Sequence, residues 1–321
     1  MTNEPAIRAR GLRKSYGDHL VLDGIDLEVP AGCVFALLGP NGSGKTTTVQ
    51  ILSTLIRPDG GEVRVGGFDL IKQPHEIRAL IGVTGQFSAV DGFLTGEENL
   101  RLIADLNHLG RDEGGRRLKR LVERFDIVDA AKQTPAAYSG GMRRRLDLAM
   151  TLVGSPRIIF LDEPTAGLDP RSRRGMWDIV RDLVSDGVTI FLTTQYLEEA
   201  DQLADRIAVL DRGKIIAEGT AAELKRLVPG GHVSLEFADA AALETASLAF
   251  GNAKTDASAL TLNVPSDGSP RSVRDVLDEL DRRSIEVANL AIHTPDLDDV
   301  FLALTGQTPG SRAAEPQEAA S

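Results

Sequence analysis

The sequence predicts an α/β fold: a central, mostly parallel sheet preceded by an antiparallel β part, interrupted by a helical subdomain and followed by a small α+β domain. Three observations carry this expectation. Apolar runs at 34–38, 158–161 and 188–192, the first of them unbroken, alternate with helical stretches, as do parallel strands covered on both faces. A glycine-rich loop, Gly39-Pro40-Asn41-Gly42-Ser43-Gly44-Lys45-Thr46, follows the first run and opens a helix. Pro229-Gly230-Gly231 then marks a boundary, beyond which strand-like and helical segments alternate again.

Taken in order, residues 6–12 and 21–29 read as strands around a Gly17-Asp18 turn, with period-two alternation in Gly24-Ile25-Asp26-Leu27-Glu28-Val29. The helix after the glycine-rich loop is expected over 45–57, with Val49, Leu52, Leu55 and Ile56 on its apolar face, and Pro58-Asp59-Gly60-Gly61 ends it. Thr95-Gly96-Glu97-Glu98 has capping-box spacing and starts a mostly helical segment running to about 154. Runs 207–210 and 214–217 flank Asp211-Arg212-Gly213 as a hairpin. The first domain is placed at 6–230, with its helical subdomain at about 87–154. The second is placed at 231–306, with strands at 233–237, 260–264 and 287–292 and helices at 272–283 and 297–304. Residues 307–321, rich in Ala, Pro, Glu and Gln, read as a disordered tail.

Composition narrows the function. A net charge of −11 and a pI near 5.0 provide no broad basic field, so no nucleic-acid partner is expected. The single cysteine, Cys33, rules out an internal disulfide and a cysteine zinc site, and it reads as a core thiol. The first residues lack a signal-peptide apolar stretch, and no apolar run approaches the roughly 20 residues that span a bilayer. Any membrane passage would therefore come from another polypeptide.

The chemistry sits in three motifs. In the glycine-rich loop, backbone N–H groups can turn toward phosphate oxygens and the helix beginning near Lys45 adds its positive end. Lys45 can reach the outer phosphates and the Thr46 hydroxyl can bind magnesium. Asp162 and Glu163 emerge from an apolar strand at the ligand-binding edge of the sheet. Asp162 suits a metal held through water, and Glu163 can polarise the water that attacks the terminal phosphate. The structural alternative is a pair of carboxylates capping the next helix. Ser139-Gly140-Gly141 precedes a helix over 142–154: Ser139 is its N-cap, and the glycines leave an anion site at the helix tip. Arg143, Arg144 and Arg145 read as a solvated helix face.

In this order the motifs resemble the nucleotide-binding subunit of an ATP-binding cassette (ABC) transporter, a P-loop NTPase, over residues 6 to about 230. The runs Tyr138-Ser139-Gly140-Gly141-Met142-Arg143-Arg144-Arg145-Leu146-Asp147 and Thr193-Thr194-Gln195-Tyr196-Leu197-Glu198-Glu199-Ala200-Asp201 resemble the daunorubicin/doxorubicin resistance ATP-binding proteins. The ending Asp298-Asp299-Val300-Phe301-Leu302-Ala303-Leu304-Thr305-Gly306 is similar to theirs too. The resemblance implies ATP and Mg2+ bound by residues 39–46 together with Thr47. Tyr16 would stack on adenine, and Gln86 would touch both metal and attacking water. Ser139, Gly140 and Gly141 would seal ATP held by a second copy, and Asp169, in Gly167-Leu168-Asp169, would face that copy. It also implies a separate multi-span membrane permease and a position at the cytoplasmic face of the membrane. The segment 86–100, with Phe87, Val90, Phe93 and Leu94, would receive the permease.

Two positions depart from the wider superfamily: Gln195 stands where histidine is commoner, and Met142 where glutamine is. A glutamine amide can donate a hydrogen bond but does not titrate near neutral pH. The expected function is thus ATP hydrolysis driving export of a drug-like or lipid-like compound. The alternatives are a soluble cassette acting on nucleic acid or ribosomes, and a low-turnover nucleotide-binding regulator.

Overall fold

The computed structural model describes residues 4–85, 89–228, 231–293 and 295–306. Ile7–Tyr16 (β1) and His19–Val29 (β2) pair as an antiparallel hairpin. The apolar run Val34–Leu38 (β3) lies apart from them in the central sheet, buried at every position. Gly60–Val65 (β4) and Phe68–Asp69 (β5) complete the first sheet in the order β2-β1-β4-β5. Between these elements, Lys45–Leu52 (α1) follows the glycine-rich loop. This helix is shorter than the expected 45–57: Ser53 caps it and Thr54 turns to φ 65°. Leu55, assigned to the helix's apolar face, is 67% exposed as a result.

The central sheet gathers Ile81–Thr84 (β6), Ile158–Asp162 (β7), Thr189–Thr194 (β8), Arg206–Asp211 (β9) and Lys214–Gly219 (β10) around β3. Its order is β10-β9-β3-β8-β7-β6, parallel except for the antiparallel hairpin β9–β10. Like β3, strands β7 and β8 are buried throughout, which is why the stretches 158–161 and 190–192 are apolar without alternation. Phe35 stacks on Phe191 at 5.6 Å between ring centroids, and Phe160 tilts against the same ring at 5.7 Å. Each such buried ring contributes roughly 1.5–3 kcal/mol relative to exposure.

Helices surround this sheet. Pro74–Leu80 (α2) leads into β6. Gly96–Leu106 (α3), Arg111–Arg124 (α4) and Gly140–Thr151 (α5) form the helical segment, and Thr95 closes the capping box expected at its start. Pro170–Ser185 (α6) joins β7 to β8, and Leu197–Leu203 (α7) joins β8 to β9.

Two compact units divide the chain, one running to Ala221 and the other beginning at Ala222. Ala221–Lys225 (α8) lies at the division. In the second unit, His232–Glu236 (β11), Lys254–Asp256 (β12), Thr261–Pro265 (β13) and Asn289–His293 (β14) form an antiparallel sheet, β12-β13-β11-β14. Ala240–Ala249 (α9) and Pro270–Arg282 (α10) pack on it through Leu243, Ala246, Val276 and Leu280. Leu297–Thr305 (α11) follows, capped by Asp296. The tail expected at 307–321 lies outside the described residues.

Candidate nucleotide site

Register, set by the parallel pairing, brings the motifs together. Leu38 pairs with Thr194 across β3–β8, and Asp162 pairs with Thr193 across β7–β8. Gly39 donates to the Thr194 carbonyl at 3.2 Å, and Glu163 donates to the Thr193 carbonyl at 3.1 Å. The glycine-rich loop, the acidic pair and Gln195 therefore leave the sheet side by side at the carboxyl ends of its strands.

The loop's glycines answer to space and dihedral angle. A Cβ on Gly39 would lie 2.3 Å from the Leu210 carbonyl oxygen. Gly44 has φ 110°, and a Cβ there would lie 2.6 Å from Leu22 Cδ2. Pro40 accepts a bond from Ser43 N, Asn41 and Gly42 are exposed, Thr46 is exposed and Thr47 is half-buried. Gly44 is the N-cap of α1, and no side chain caps that helix. Ser43 Oγ is buried without a hydrogen-bond partner. An uncapped helix start beside an orphaned buried hydroxyl fits phosphate oxygens.

Lys45 is 4% exposed, and its ammonium donates to the Gly39 and Pro40 carbonyls at 2.9 and 3.1 Å. Its Nζ lies 3.6 Å from Glu163 Oε1. Burial lowers the lysine pKa from its ordinary value, against the opposing pull of Glu163. Thr46 Oγ1 lies 3.4 Å from Asp162 Oδ1, which also accepts from the Thr193 hydroxyl at 2.5 Å. A hydroxyl beside a carboxylate is an oxygen donor set suited to a hard divalent cation. Gln195 Nε2 reaches Glu163 Oε2 at 3.5 Å.

Glu163 has φ 47°, in the left-handed region that a side chain occupies at a cost of roughly 1–3 kcal/mol. Such backbone persists only where its surroundings fix it, and Thr193, Ala166 and Arg144 all hold the chain here. Sequence reasoning put Arg144 on a solvated face. Instead its guanidinium turns inward, donating to the carbonyls of Gly85 at 2.8 Å, Asp162 at 3.1 Å and Pro164 at 3.0 Å, and pairing with buried Asp147. Asp147 also accepts from Ala89 N. Arg145 is also only 25% exposed, pairing with Asp126 and donating to the Phe125 carbonyl, and of the three only Arg143 is exposed. Glu199 was also missed. It is fully buried behind the acidic pair and accepts from Thr165 Oγ1 at 2.8 Å and Trp177 Nε1 at 3.3 Å, while its Oε2 has no partner. Burial raises its pKa above the ordinary value, outweighing the Thr194, Thr165 and Trp177 donors and Arg173.

The remaining expected residues lie at other points of the first unit. Ser139 Oγ caps α5 by accepting from Met142 N at 3.2 Å, and Ser139 and Gly140 are exposed. Gly141 is buried against Ser172 of α6. Asp169 caps α6, and its hydrogen bonds with Ser172 hold its pKa low. Tyr16 is half exposed at the end of β1, with Lys14 Nζ 5.5 Å from its ring centroid. Phe93 is 95% exposed. Gln86 and Phe87 lie outside the described residues. Cys33 is half-buried against the core, and burial pushes its thiol up to about 11, which makes it an unreactive packing residue. Among the described residues no helix is long and apolar enough to cross a membrane.

Residues 22–166 match the family model described as ABC transporter. A daunorubicin resistance ATP-binding protein of Streptomyces coeruleorubidus is 47% identical over 94% of this chain and 96% of its own. A daunorubicin/doxorubicin resistance ATP-binding protein of Streptomyces peucetius is 46% identical over 98% and 97%. Among solved structures, a dimeric ATP-binding cassette in a post-hydrolysis state, bound to ADP and Pi, is 25% identical with a TM-score of 0.62, covering 67% of this chain and 98% of that one. With the phosphate loop, acidic pair and serine-led helix on one scaffold, and near-full-length identity of this size, the chain belongs to the ABC transporter ATP-binding family, among the daunorubicin/doxorubicin resistance proteins.

Proposed function

We propose that this ATPase powers an exporter of a drug-like or lipid-like compound, closing as a pair of cassettes over ATP and reopening on hydrolysis, while a separate multi-span permease at the cytoplasmic face of the membrane supplies the path. The observation that carries this reading is the meeting of Lys45, Thr46, Asp162, Glu163 and Gln195 at one sheet edge, with the contacts of 3.6, 3.4 and 3.5 Å given above. The names of its relatives, which speak of daunorubicin and doxorubicin resistance, support the drug-like cargo. They favour transport over the nucleic-acid and regulatory alternatives.

In this reading the loop 39–46 and Thr47 bind the phosphates, through the N–H groups that follow Pro40 and through Ser43 Oγ, and Lys45 neutralises the outer ones. Thr46 and Asp162, joined by Gln86, would hold Mg2+, which would supply neutralisation of the phosphate charge. Glu163 accepts the proton of the attacking water, and Gln195 donates to the terminal phosphate without titrating. Tyr16 stacks on adenine through its exposed face. Ser139, Gly140 and Gly141 present the tip of α5 to ATP on the second copy, and Asp169 faces that copy. The 86–100 segment meets the permease through Phe93, whose exposure leaves it free to dock.

The test is ATP hydrolysis by Glu163→Gln protein, together with co-purification of the intact chain with a multi-span membrane protein. Loss of turnover with retained ATP binding supports the site assignment. Near-normal hydrolysis by Glu163→Gln would refute the base role, and a chain recovered only with ribosomes or nucleic acid would refute the transport role.

A further inference from the structure

Glu163 holds an unfavourable backbone conformation, and the carbonyls on either side of it, those of Asp162 and Pro164, are both gripped by one guanidinium. We infer that Arg144, braced by Asp147, is a positioning residue for the hydrolysis step: it fixes the peptide that enters Glu163 and the one that leaves Pro164, and so keeps that carboxylate aimed at the attacking water. The inference rests on the base role proposed for Glu163.

The geometry is specific. Arg144 lies one turn into α5, whose first residue follows Ser139, and its planar fork serves acceptors from two strand ends at once. Nε takes Pro164 just beyond β7, Nη2 takes Asp162 at its last residue, and Nη1 takes Gly85 after β6. Asp147, one turn further along the helix and 3% exposed, orients the fork through Nη1 with one oxygen and accepts Ala89 N with the other. The pair thus binds the exits of two neighbouring parallel strands to one helix. On the strand side, Glu163 N is held by the Thr193 carbonyl and hydroxyl at 3.1 and 3.2 Å. The Glu163 carbonyl accepts from Ala166 N at 3.2 Å, so with its own amide and carbonyl engaged and the Asp162 and Pro164 carbonyls held by Arg144, the left-handed conformation has little room to relax. A lysine could not reproduce this arrangement, because a point charge on a flexible stem cannot address divergent carbonyls in one plane.

The experiment compares full-length Arg144→Lys and Arg144→Gln proteins with wild type, each also built on the Glu163→Gln background. It measures ATP affinity, kcat, KM for ATP, single-turnover hydrolysis and the thermal midpoint. If Arg144 acts through Glu163, both variants lose about ten-fold or more in kcat, since small displacements of a catalytic group carry losses of that order, while ATP affinity and KM stay within about three-fold. On the Glu163→Gln background the same changes add less than about two-fold in the single-turnover rate, because the group they position is already disabled. Should Arg144→Gln fail to fold, Arg144→Lys, which keeps a charge beside Asp147, carries the comparison. A folded variant with kcat within about two-fold of wild type overturns the inference, as does a loss confined to KM or an equal loss on both backgrounds. Near-normal turnover by Glu163→Gln alone overturns the base assignment and this inference with it, whereas a normal Arg144→Gln beside an inactive Glu163→Gln overturns the inference only.

Discussion

Glu163 lies between a buried ammonium and an amide, with Lys45 Nζ and Gln195 Nε2 at 3.6 and 3.5 Å from its two oxygens. If it is the base, Glu163→Gln should lower kcat by about 10²–10⁴-fold while leaving ATP binding nearly intact. Phosphate release and nucleotide titration on the same preparation check this. Glu199 permits a separate test of stability. Its folded pKa is raised, so the stability tied to its protonated form is complete below the ordinary glutamate value of 4.5 and is lost as pH climbs through the folded value. Glu199→Gln, which keeps a carbonyl for Thr165 and Trp177, should flatten the decline in urea midpoint with rising pH. An unchanged slope would contradict the assignment. The chain shows why such residues escape a reading of sequence. Lys45, Asp162 and Glu163 announce themselves by spacing beside an apolar run. Arg144 sits within three consecutive arginines, and its partners Gly85 and Pro164 are remote in sequence, so no local pattern distinguishes it from Arg143, which is exposed.

At the level of elements, the apolar strands β3, β7 and β8 and the helix caps at Thr95 and Ser139 were legible because burial on both faces and capping each leave a short-range signature. The stretch from β4 to β6 was not. Its strands alternate poorly, since Gly60, Gly61 and Glu62 occupy the start of β4 and only Val63 and Val65 are buried. The end of α1 was overrun because Leu55 and Ile56 continue the helical period, and only the turn at Thr54 reveals the stop. The α5–α6 contact yields another expectation. A Cβ on Gly141 would lie 2.6 Å from Ser172 Oγ and 2.9 Å from its Cβ. Gly141→Ala should therefore destabilise the first unit by about 1–3 kcal/mol through overpacking, and Ser172→Gly should restore part of the loss. Thermal midpoints of the single and double variants decide this, and an unshifted Gly141→Ala would contradict it.

For the whole molecule, the central question is where the terminal phosphate is enclosed. One copy presents the phosphate loop and acidic pair, while the exposed tip of α5 at Ser139 and Gly140 and the exposed Asp169 are surfaces suited to a second copy. In the proposed reading, enclosure from both sides would also give a permease something to follow, since separation of the copies would move the 86–100 segments. Phe93→Ser should accordingly weaken the dependence of transport on ATP while sparing basal hydrolysis, as measured in vesicles carrying the permease. The most direct test of the account is the sedimentation mass of Glu163→Gln protein with Mg-ATP. The account predicts a shift from the 34.4 kDa single chain to a pair. It also predicts that Ser139→Arg abolishes the shift. A mass that stays at one chain with Mg-ATP, with the membrane partner present as well as absent, would contradict it.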